Sequence, residues 1–160
     1  MATKLNSMRV LESNGVAYEA LEYDPSIHDA VEAAAAMNIP ADQVYKTLVV
    51  ERANSKPVLV MIPANRHLDV KKFAAAIGEK KISMAAHADA EKLTGLKVGG
   101  IGALALVHKH WDVYLDQTAT AHEWIGVSAG QRGINLRVAV PELVRVLNAK
   151  LADASRTEDS

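Results

Sequence analysis

The sequence of 160 residues contains no cysteine. Disulfide bonds, thiolate metal sites and a cysteine nucleophile supplied by the protein are therefore excluded. The sequence also has no uninterrupted apolar stretch that approaches the roughly 20 residues of a membrane-spanning helix. Residues 1–7 have no apolar core of the length found in signal peptides, so a cytoplasmic location is the default expectation.

Excess charge is lacking as well, because 18 basic and 19 acidic side chains give a formal net charge of -1. Proteins that coat nucleic acids by bulk charge cluster lysine and arginine, so this mode of binding is not indicated, although local basic patches remain open. The length suits one domain that folds without disulfides. We predict a single domain over residues 1–154 and a disordered polar tail over residues 155–160.

Hydrophobic periodicity and turn residues predict helices interspersed irregularly with strands. The predicted helices cover residues 3–14, 28–37, 69–77, 87–93 and 141–147. The predicted strands cover residues 17–23, 44–50, 56–62, 103–107, 113–115, 125–127 and 134–140. Because strands 44–50 and 56–62 form a hairpin-like pair around a polar turn, we expect an α/β protein of the α+β type, with helices packed on a mixed sheet.

A charged residue interrupts the strand predicted over residues 44–50. The side-chain period of two places Lys46 on one face with Val44, Leu48 and Val50. An ammonium group is costly to desolvate alone, so an anionic or strongly polar partner is expected, and that partner could be a substrate. The alternative is a lysine at a sheet edge, whose stem packs on apolar neighbours while its ammonium group reaches water.

Glycines are concentrated in residues 95–102, where they allow the backbone to approach a ligand and to present N–H donors to a phosphate or an oxyanion. The alternative is a bulge between two strands. No lysine-serine pair of a phosphate-binding loop follows, and the spacing is not that of a dinucleotide-binding turn. Nucleotide hydrolysis and nicotinamide chemistry are therefore not indicated.

Three further groups of polar residues are candidate binding sites. The turn over residues 128–133 contains Arg132, whose planar guanidinium suits a phosphate, although a simple chain reversal also explains the turn. His108 and His110 lie two residues apart without a third ligand, so we predict neither a metal nor another cofactor. His28 begins a predicted helix, where it either reaches a cleft or is solvated.

These segments together resemble the YbaK family of aminoacyl-tRNA deacylases, which is related to the editing domain inserted in bacterial prolyl-tRNA synthetases. The resemblance covers nearly the whole chain up to about residue 154. The segments that carry it are residues 44–50, 68–72, 80–85, 94–101 and 127–133. It implies a mixed, mostly antiparallel sheet, curved or forming a partial barrel, with helices around it.

The resemblance also implies a site. Lys46, Gly99 and Gly100 would be catalytic, with Lys46 contacting the terminal adenosine or its phosphate and the ester, and the glycines offering backbone contacts to the aminoacyl group. The other residues that the resemblance assigns to substrate binding are Tyr23, His28, Thr47, Ile101, Gly102, Ser128, Gly130 and Arg132. Where the family commonly has Ser-Pro after Gly-Gly-Ile, this chain has Gly102-Ala103.

A protein of this kind removes amino acids that are wrongly attached to tRNA, and Cys-tRNA or Ala-tRNA carried by tRNA-Pro are the expected substrates. The partners implied are the acceptor end of aminoacyl-tRNA and prolyl-tRNA synthetase, without a membrane. The ester is activated, so water or a substrate group can attack it without a protein nucleophile. Two alternatives stay open: a noncatalytic module that binds tRNA or a nucleotide, and a structural or regulatory protein with an empty pocket.

Overall fold

The structure is a computed structural model that describes residues 4–157. Its helices are α1 (Asn6–Ser13), α2 (Ala30–Ala36), α3 (Val70–Ile77), α4 (His87–Thr94) and α5 (Val140–Leu147). Its strands are β1 (Tyr18–Glu22), β2 (Val44–Arg52), β3 (Val58–Pro63), β4 (His67–Leu68), β5 (Ile82–Met84), β6 (Val113–Asp116), β7 (Trp124–Ser128), β8 (Ile134–Ala139), β9 (Lys150–Ala152) and β10 (Ser155–Arg156). Every predicted helix is present, although the predicted start of the first at Thr3 lies outside the described residues.

Helix boundaries follow local capping. The Asp69 carboxylate accepts a hydrogen bond from the Lys72 amide and starts α3, and Gly78, with a φ of 73°, ends it in the left-handed conformation. Asp29 caps α2 in the same way through the Glu32 amide. The second helix therefore begins at Ala30 rather than at His28.

The main sheet is mixed, as predicted. Its strand order is β1-β8-β7-β2-β3-β6-β9, with β5 paired to β2 beside this path. The β1–β8, β8–β7, β2–β3 and β2–β5 pairs are antiparallel, whereas β7–β2, β3–β6 and β6–β9 are parallel. Within the described residues β1 and β9 are not paired with each other, so the sheet does not close, and the partial barrel is not confirmed.

Helices cover both faces of the sheet. One face carries the larger apolar cluster, in which Tyr45 and Val49 of β2 are buried together with Leu11 of α1 and Leu143 of α5. On the opposite face, the fully buried Phe73 of α3 lies edge-on to Tyr114 of β6. A small third cluster joins Ala34 of α2 to the start of β2. Successive residues of β2 therefore face different cores, which is why Lys46 and Thr47 lie in different surroundings.

Two predictions about irregular segments are wrong. Residues 103–107 do not form a strand; Ala103–Ala105 and Val107–Lys109 are short 3-10 turns. Their alternating alanine and leucine bury apolar surface but lack the β-branched residues that favour strands. The expected disordered tail is wrong for Ser155 and Arg156, which form β10 against β4.

A buried hydrogen-bond network explains why the chain is ordered near its end. Asp116 is 1% exposed and accepts hydrogen bonds from the Ala154 amide and the Ser155 hydroxyl, each at 2.9 Å. Arg66 donates to the Ser155 hydroxyl at 2.7 Å. A buried carboxylate needs such donors, so Asp116 and Arg66 fix β10 beside β4.

Candidate active site

Lys46 lies in the middle of the sheet rather than at its outer edge. It pairs with Ile62 of β3 in the antiparallel register and is half-buried. Its Nζ donates a hydrogen bond to the Ala64 carbonyl oxygen at 3.2 Å, and it forms no ion pair among the described residues. Burial lowers the pKa of the Lys46 ammonium group below its usual range, and the Asp29 carboxylate partly opposes this change. The ammonium group is therefore partly desolvated and has no carboxylate within 4.0 Å among the described residues.

The strand pairing along one edge of β2 is interrupted beside Lys46. Strand β7 pairs with Val44 and Tyr45, and β5 pairs only from Val50 onward, so no strand of the described chain covers the stretch between them. Val44 directs its carbonyl toward β3, whereas Val49 directs its carbonyl to Ala85 on the other side. Backbone groups alternate along a strand, so Thr47 shares the direction of Val49. The amide and carbonyl of Thr47 therefore point into the interruption.

A cavity of about 520 Å³ opens at this interruption. Every residue from Val44 to Val49 lines it, from both faces of β2. The polar and charged side chains of its wall are Tyr23, His28, Asp29, Tyr45, Lys46, Thr47, His67, His87, Ser128 and Asn135. The volume lies within the range of small-molecule sites, and the wall combines an apolar surface with a few convergent polar groups, as such sites do.

Two polar atoms of the cavity wall are buried without a hydrogen-bond partner. Thr47 is 7% exposed and Asn135 is 4% exposed. Neither Thr47 Oγ1 nor Asn135 Oδ1 finds a partner within the described residues, and both side chains line the cavity. A buried polar group without a partner costs free energy, so these two atoms make this wall a candidate place for a ligand or an ordered water to bind.

Comparison with known proteins gives the family. The family model described as "Aminoacyl-tRNA editing domain" matches residues 24–146. The chain belongs to this family. A relative from Enterococcus faecalis, provisionally named Cys-tRNA(Pro)/Cys-tRNA(Cys) deacylase EbsC, is 34% identical over 157 residues, which cover 97% of this chain and 95% of the relative. A proline--tRNA ligase from Limosilactobacillus fermentum is 30% identical over 86 residues, or 51% of this chain and 15% of the ligase.

Solved structures share the fold of this editing domain. The hypothetical protein APE2540 matches with a TM-score of 0.84 at 23% identity, covering 92% of this chain and 97% of the other. A provisional trans-editing enzyme for prolyl tRNA synthetase matches with a TM-score of 0.82, also at 23% identity, covering 97% and 99%. The predicted family resemblance and mixed-sheet fold are thus confirmed.

The editing domain brings most of the predicted site residues together. The cavity wall includes seven of them: Tyr23, His28, Lys46, Thr47, Gly99, Ile101 and Ser128. Gly99 has a φ of 91°, and a Cβ at this position would lie 3.1 Å from the His28 Cα, so glycine is needed where this loop meets the start of α2. The functional roles predicted for these residues stay predictions.

Gly100, Gly102, Gly130 and Arg132 do not line the cavity. Instead they join the glycine segment to the turn over residues 128–133. A Cβ at Gly100 would lie 2.7 Å from the Arg132 nitrogen, and Arg132 Nε donates to the Val98 carbonyl at 2.6 Å. The Gly100 amide already donates to Lys97, so it is not available as the predicted donor to the aminoacyl group.

Residue-by-residue reasoning missed Asp29 and Asn135. Asp29 resembles an ordinary helix cap, and its proximity to Lys46 depends on how α2 packs against β2. Asn135 offered a weak signal as a polar residue between apolar neighbours in a predicted strand.

His108 and His110 lie away from the cavity, and the described residues contain no group of three potential metal ligands. No helix within residues 4–157 has the length and apolar character needed to cross a membrane.

The unpartnered hydroxyl of Thr47 predicts an unusual response to mutation. Thr47→Val removes a buried hydroxyl that has no hydrogen-bond partner among the described residues, so we expect the free energy of unfolding to rise by about 1 kcal/mol. Thr94→Val is the matched control, because Thr94 is 6% exposed but donates to the Ala90 carbonyl and accepts from the Leu96 amide. That variant should lose about 1 kcal/mol. Denaturant unfolding measures both, and equal losses would contradict the interpretation of Thr47.

Proposed function

We propose that this protein is a trans-editing deacylase that hydrolyses the ester of mischarged aminoacyl-tRNA, with Cys-tRNA or Ala-tRNA carried by tRNA-Pro as its substrates. The observation that carries this proposal is a single cavity whose wall includes the half-buried Lys46 together with Thr47 and Asn135, each of which has a buried polar atom without a partner among the described residues. Family membership and the provisional name of the Enterococcus faecalis relative support the choice of chemistry and substrate.

The cavity suits the acceptor end of a charged tRNA. The Lys46 ammonium group provides positive charge for the terminal phosphate or for the oxygen of the ester carbonyl. The Thr47 hydroxyl and the Asn135 amide oxygen provide hydrogen-bonding atoms that a ribose or an aminoacyl group would satisfy. Apolar residues of the wall, such as Ala33 and Val98, leave room for a small side chain.

Deacylation at this site needs an attacking group and stabilisation of the negative charge that forms. Water, or a group on the substrate, adds to the ester carbonyl, and the carbonyl oxygen becomes an oxyanion. Lys46 and the backbone amide of Thr47 are positioned to stabilise that charge. The bond from the tetrahedral carbon to the ribose oxygen then breaks, and that oxygen takes up the proton that the attacking group gave up. A free amino acid is left when water is the attacking group. The protein thus contributes positioning and electrostatics.

A panel of charged tRNAs tests the proposal. Purified protein is mixed with Cys-tRNA-Pro, Ala-tRNA-Pro and Pro-tRNA-Pro, and the remaining ester is followed with time. We expect loss of the cysteinyl or alanyl ester and retention of the prolyl ester. The alanyl ester separates attack by water from attack by a substrate thiol, because alanine has no thiol. Survival of all mischarged esters would contradict the proposal.

The replacement of the family's Ser-Pro by Gly102-Ala103 favours a second candidate. It is a noncatalytic module that holds a tRNA end in the same cavity, with binding that weakens as salt increases and with no turnover. About half of the chain is similar to part of a proline--tRNA ligase, which makes prolyl-tRNA synthetase a candidate partner for either function. The protein would then act in the cytoplasm.

The environment of Lys46 predicts a dependence on pH. Burial lowers the pKa of this ammonium group below the usual 10.5, so its positive charge is lost earlier as the pH rises. After correction for spontaneous alkaline hydrolysis, kcat/KM should therefore fall with an apparent pKa below 10.5. Arginine stays protonated through this range, so the residual activity of Lys46→Arg should lack that decline. An unchanged alkaline profile in Lys46→Arg would contradict the assignment.

A further inference from the structure

The cavity wall contains one acidic residue among the residues that line it, Asp29. This residue precedes α2, and its Oδ2 accepts a hydrogen bond from the Glu32 amide at 3.0 Å. The other carboxylate oxygen, Oδ1, has no hydrogen-bond partner among the described residues, and the residue is exposed at the mouth of the cavity. Asp29 therefore has one oxygen that caps the helix and one that is available to a ligand.

Asp29 and Lys46 face the same cavity without forming an ion pair. No Asp29–Lys46 contact within 4.0 Å is present in the described chain, yet the carboxylate is near enough to favour the charged form of the lysine. The ammonium group instead donates to the Ala64 carbonyl. The cavity wall thus contains a negative group and a positive group that do not pair with each other. A ligand that carries both kinds of charge could contact both.

We propose that the Asp29 carboxylate binds the α-amino group of the aminoacyl ester, and this inference rests on the proposed function. An aminoacyl-tRNA end has an anionic phosphate and a carbonyl oxygen that gains charge, which suit Lys46. It also has a cationic or N–H-donating amine one carbon from the reacting carbonyl. Lys46 would repel that ammonium group, and a carboxylate on the wall offsets the repulsion. The buried oxygens of Thr47 and Asn135, which have no partner among the described residues, are a second observation that points to a ligand at this wall.

The consequence is selectivity for esters with a free amine. An acyl group on the nitrogen removes its positive charge and one of its donors, so Asp29 would lose its partner. The site would then discriminate aminoacyl-tRNA from formylated or peptidyl-tRNA by chemistry, as well as by the size of the cavity.

The test pairs one change in the protein with one in the substrate. Asp29→Asn removes the charge but keeps an oxygen that can cap α2, because asparagine caps helices as well as aspartate. Initial rates are measured on Ala-tRNA-Pro and on its N-acetyl form. We expect kcat/KM of Asp29→Asn to fall roughly fivefold on the free-amine ester, mainly through a higher KM, and to stay unchanged on the acetylated ester. Glu32→Gln, the same change one turn further along α2 and outside the cavity wall, should alter neither.

A stable analogue provides the binding comparison if the acetylated ester reacts too slowly. 3'-Alanylamino-3'-deoxyadenosine should inhibit the wild type better than its N-acetyl form, and Asp29→Asn should remove that preference. Equal kcat/KM for wild type and Asp29→Asn on Ala-tRNA-Pro would overturn the inference and leave deacylation standing. An equal loss on both esters would also overturn it, because it would place the effect on Lys46 or on the fold. If the wild type hydrolyses only Cys-tRNA-Pro, the same comparison is made on the cysteinyl ester and its N-acetyl form; if it hydrolyses neither the cysteinyl nor the alanyl ester, the proposed function fails, and the inference fails with it.

Discussion

We expect Lys46→Met to lower kcat/KM for deacylation by about 100-fold or more while leaving the fold intact. The methionine fills the path of the lysine stem between Leu48 and Val44 but brings no positive charge to the cavity. Removal of one preorganised hydrogen-bond donor from an oxyanion hole costs about 2.7–4 kcal/mol, which corresponds to a loss of this size. Single-turnover deacylation of Ala-tRNA-Pro measures it.

The stability of the same variant separates catalysis from structure. Burial lowers the pKa of Lys46, so the unfolded chain holds that proton more tightly, and below both pKa values the folded protein bears the full cost of burying the charge. Methionine removes this cost, and the free energy of unfolding should be unchanged or higher at neutral pH. Lys71→Met, at an exposed position of α3, is the control and should affect neither quantity. Wild-type deacylation by Lys46→Met, or its unfolding, would contradict the assigned role.

The position of Lys46 could be predicted because it depends on local alternation. Four residues of β2 are enough to place the ammonium group on one face, and the hairpin with β3 follows from the turn between them. The ends of α3 could be predicted locally for the same reason, because its N-cap Asp69 and its C-cap Gly78 are residues that typically begin and end helices. Five segments taken together, residues 44–50, 68–72, 80–85, 94–101 and 127–133, then indicated the family.

The interruption beside Lys46 could not be predicted, because it depends on where two distant strands stop. β7 leaves β2 after Tyr45, and β5 joins it at Val50; these strands are separated from β2 by many residues of chain. Only their joint arrangement exposes both Lys46 and Thr47 to one cavity. The same reasoning applies to Asn135, whose side-chain oxygen has no partner because its neighbours in space among the described residues offer no donor.

The role of the glycine segment also depends on packing. The sequence suggested backbone donors for a ligand, and of the two adjacent glycines only Gly99 lines the cavity. Gly100, in contrast, lies against the backbone of Gln131 and Arg132, where any side chain would collide. Composition alone cannot distinguish close packing of two loops from close approach to a substrate.

Restoring the family's serine at position 102 should damage this protein rather than improve it. The backbone at Gly102, with φ of -143° and ψ of 137°, is open to any residue, so conformation is not the obstacle. Space is the obstacle: a Cβ would collide with the Ser128 carbonyl oxygen and lie 3.3 Å from the Gly130 nitrogen. Both atoms are backbone and cannot rotate away. We expect Gly102→Ser to cost about 1–3 kcal/mol of unfolding free energy, measured by denaturant titration.

Deacylation should decline with it, because the turn that must move carries Ser128 of the cavity wall. Gly102→Ala tests the steric argument without a hydroxyl and should be destabilised to a similar extent. Gly126→Ala is its matched control, since a Cβ in that strand would meet Asn135 at an ordinary 3.4 Å and should change stability little. The glycine at 102 and the small Ala105 beside Gly130 thus let the two loops lie closer than a serine would allow. A Gly102→Ser variant with wild-type stability and faster deacylation would show instead that the loops separate easily.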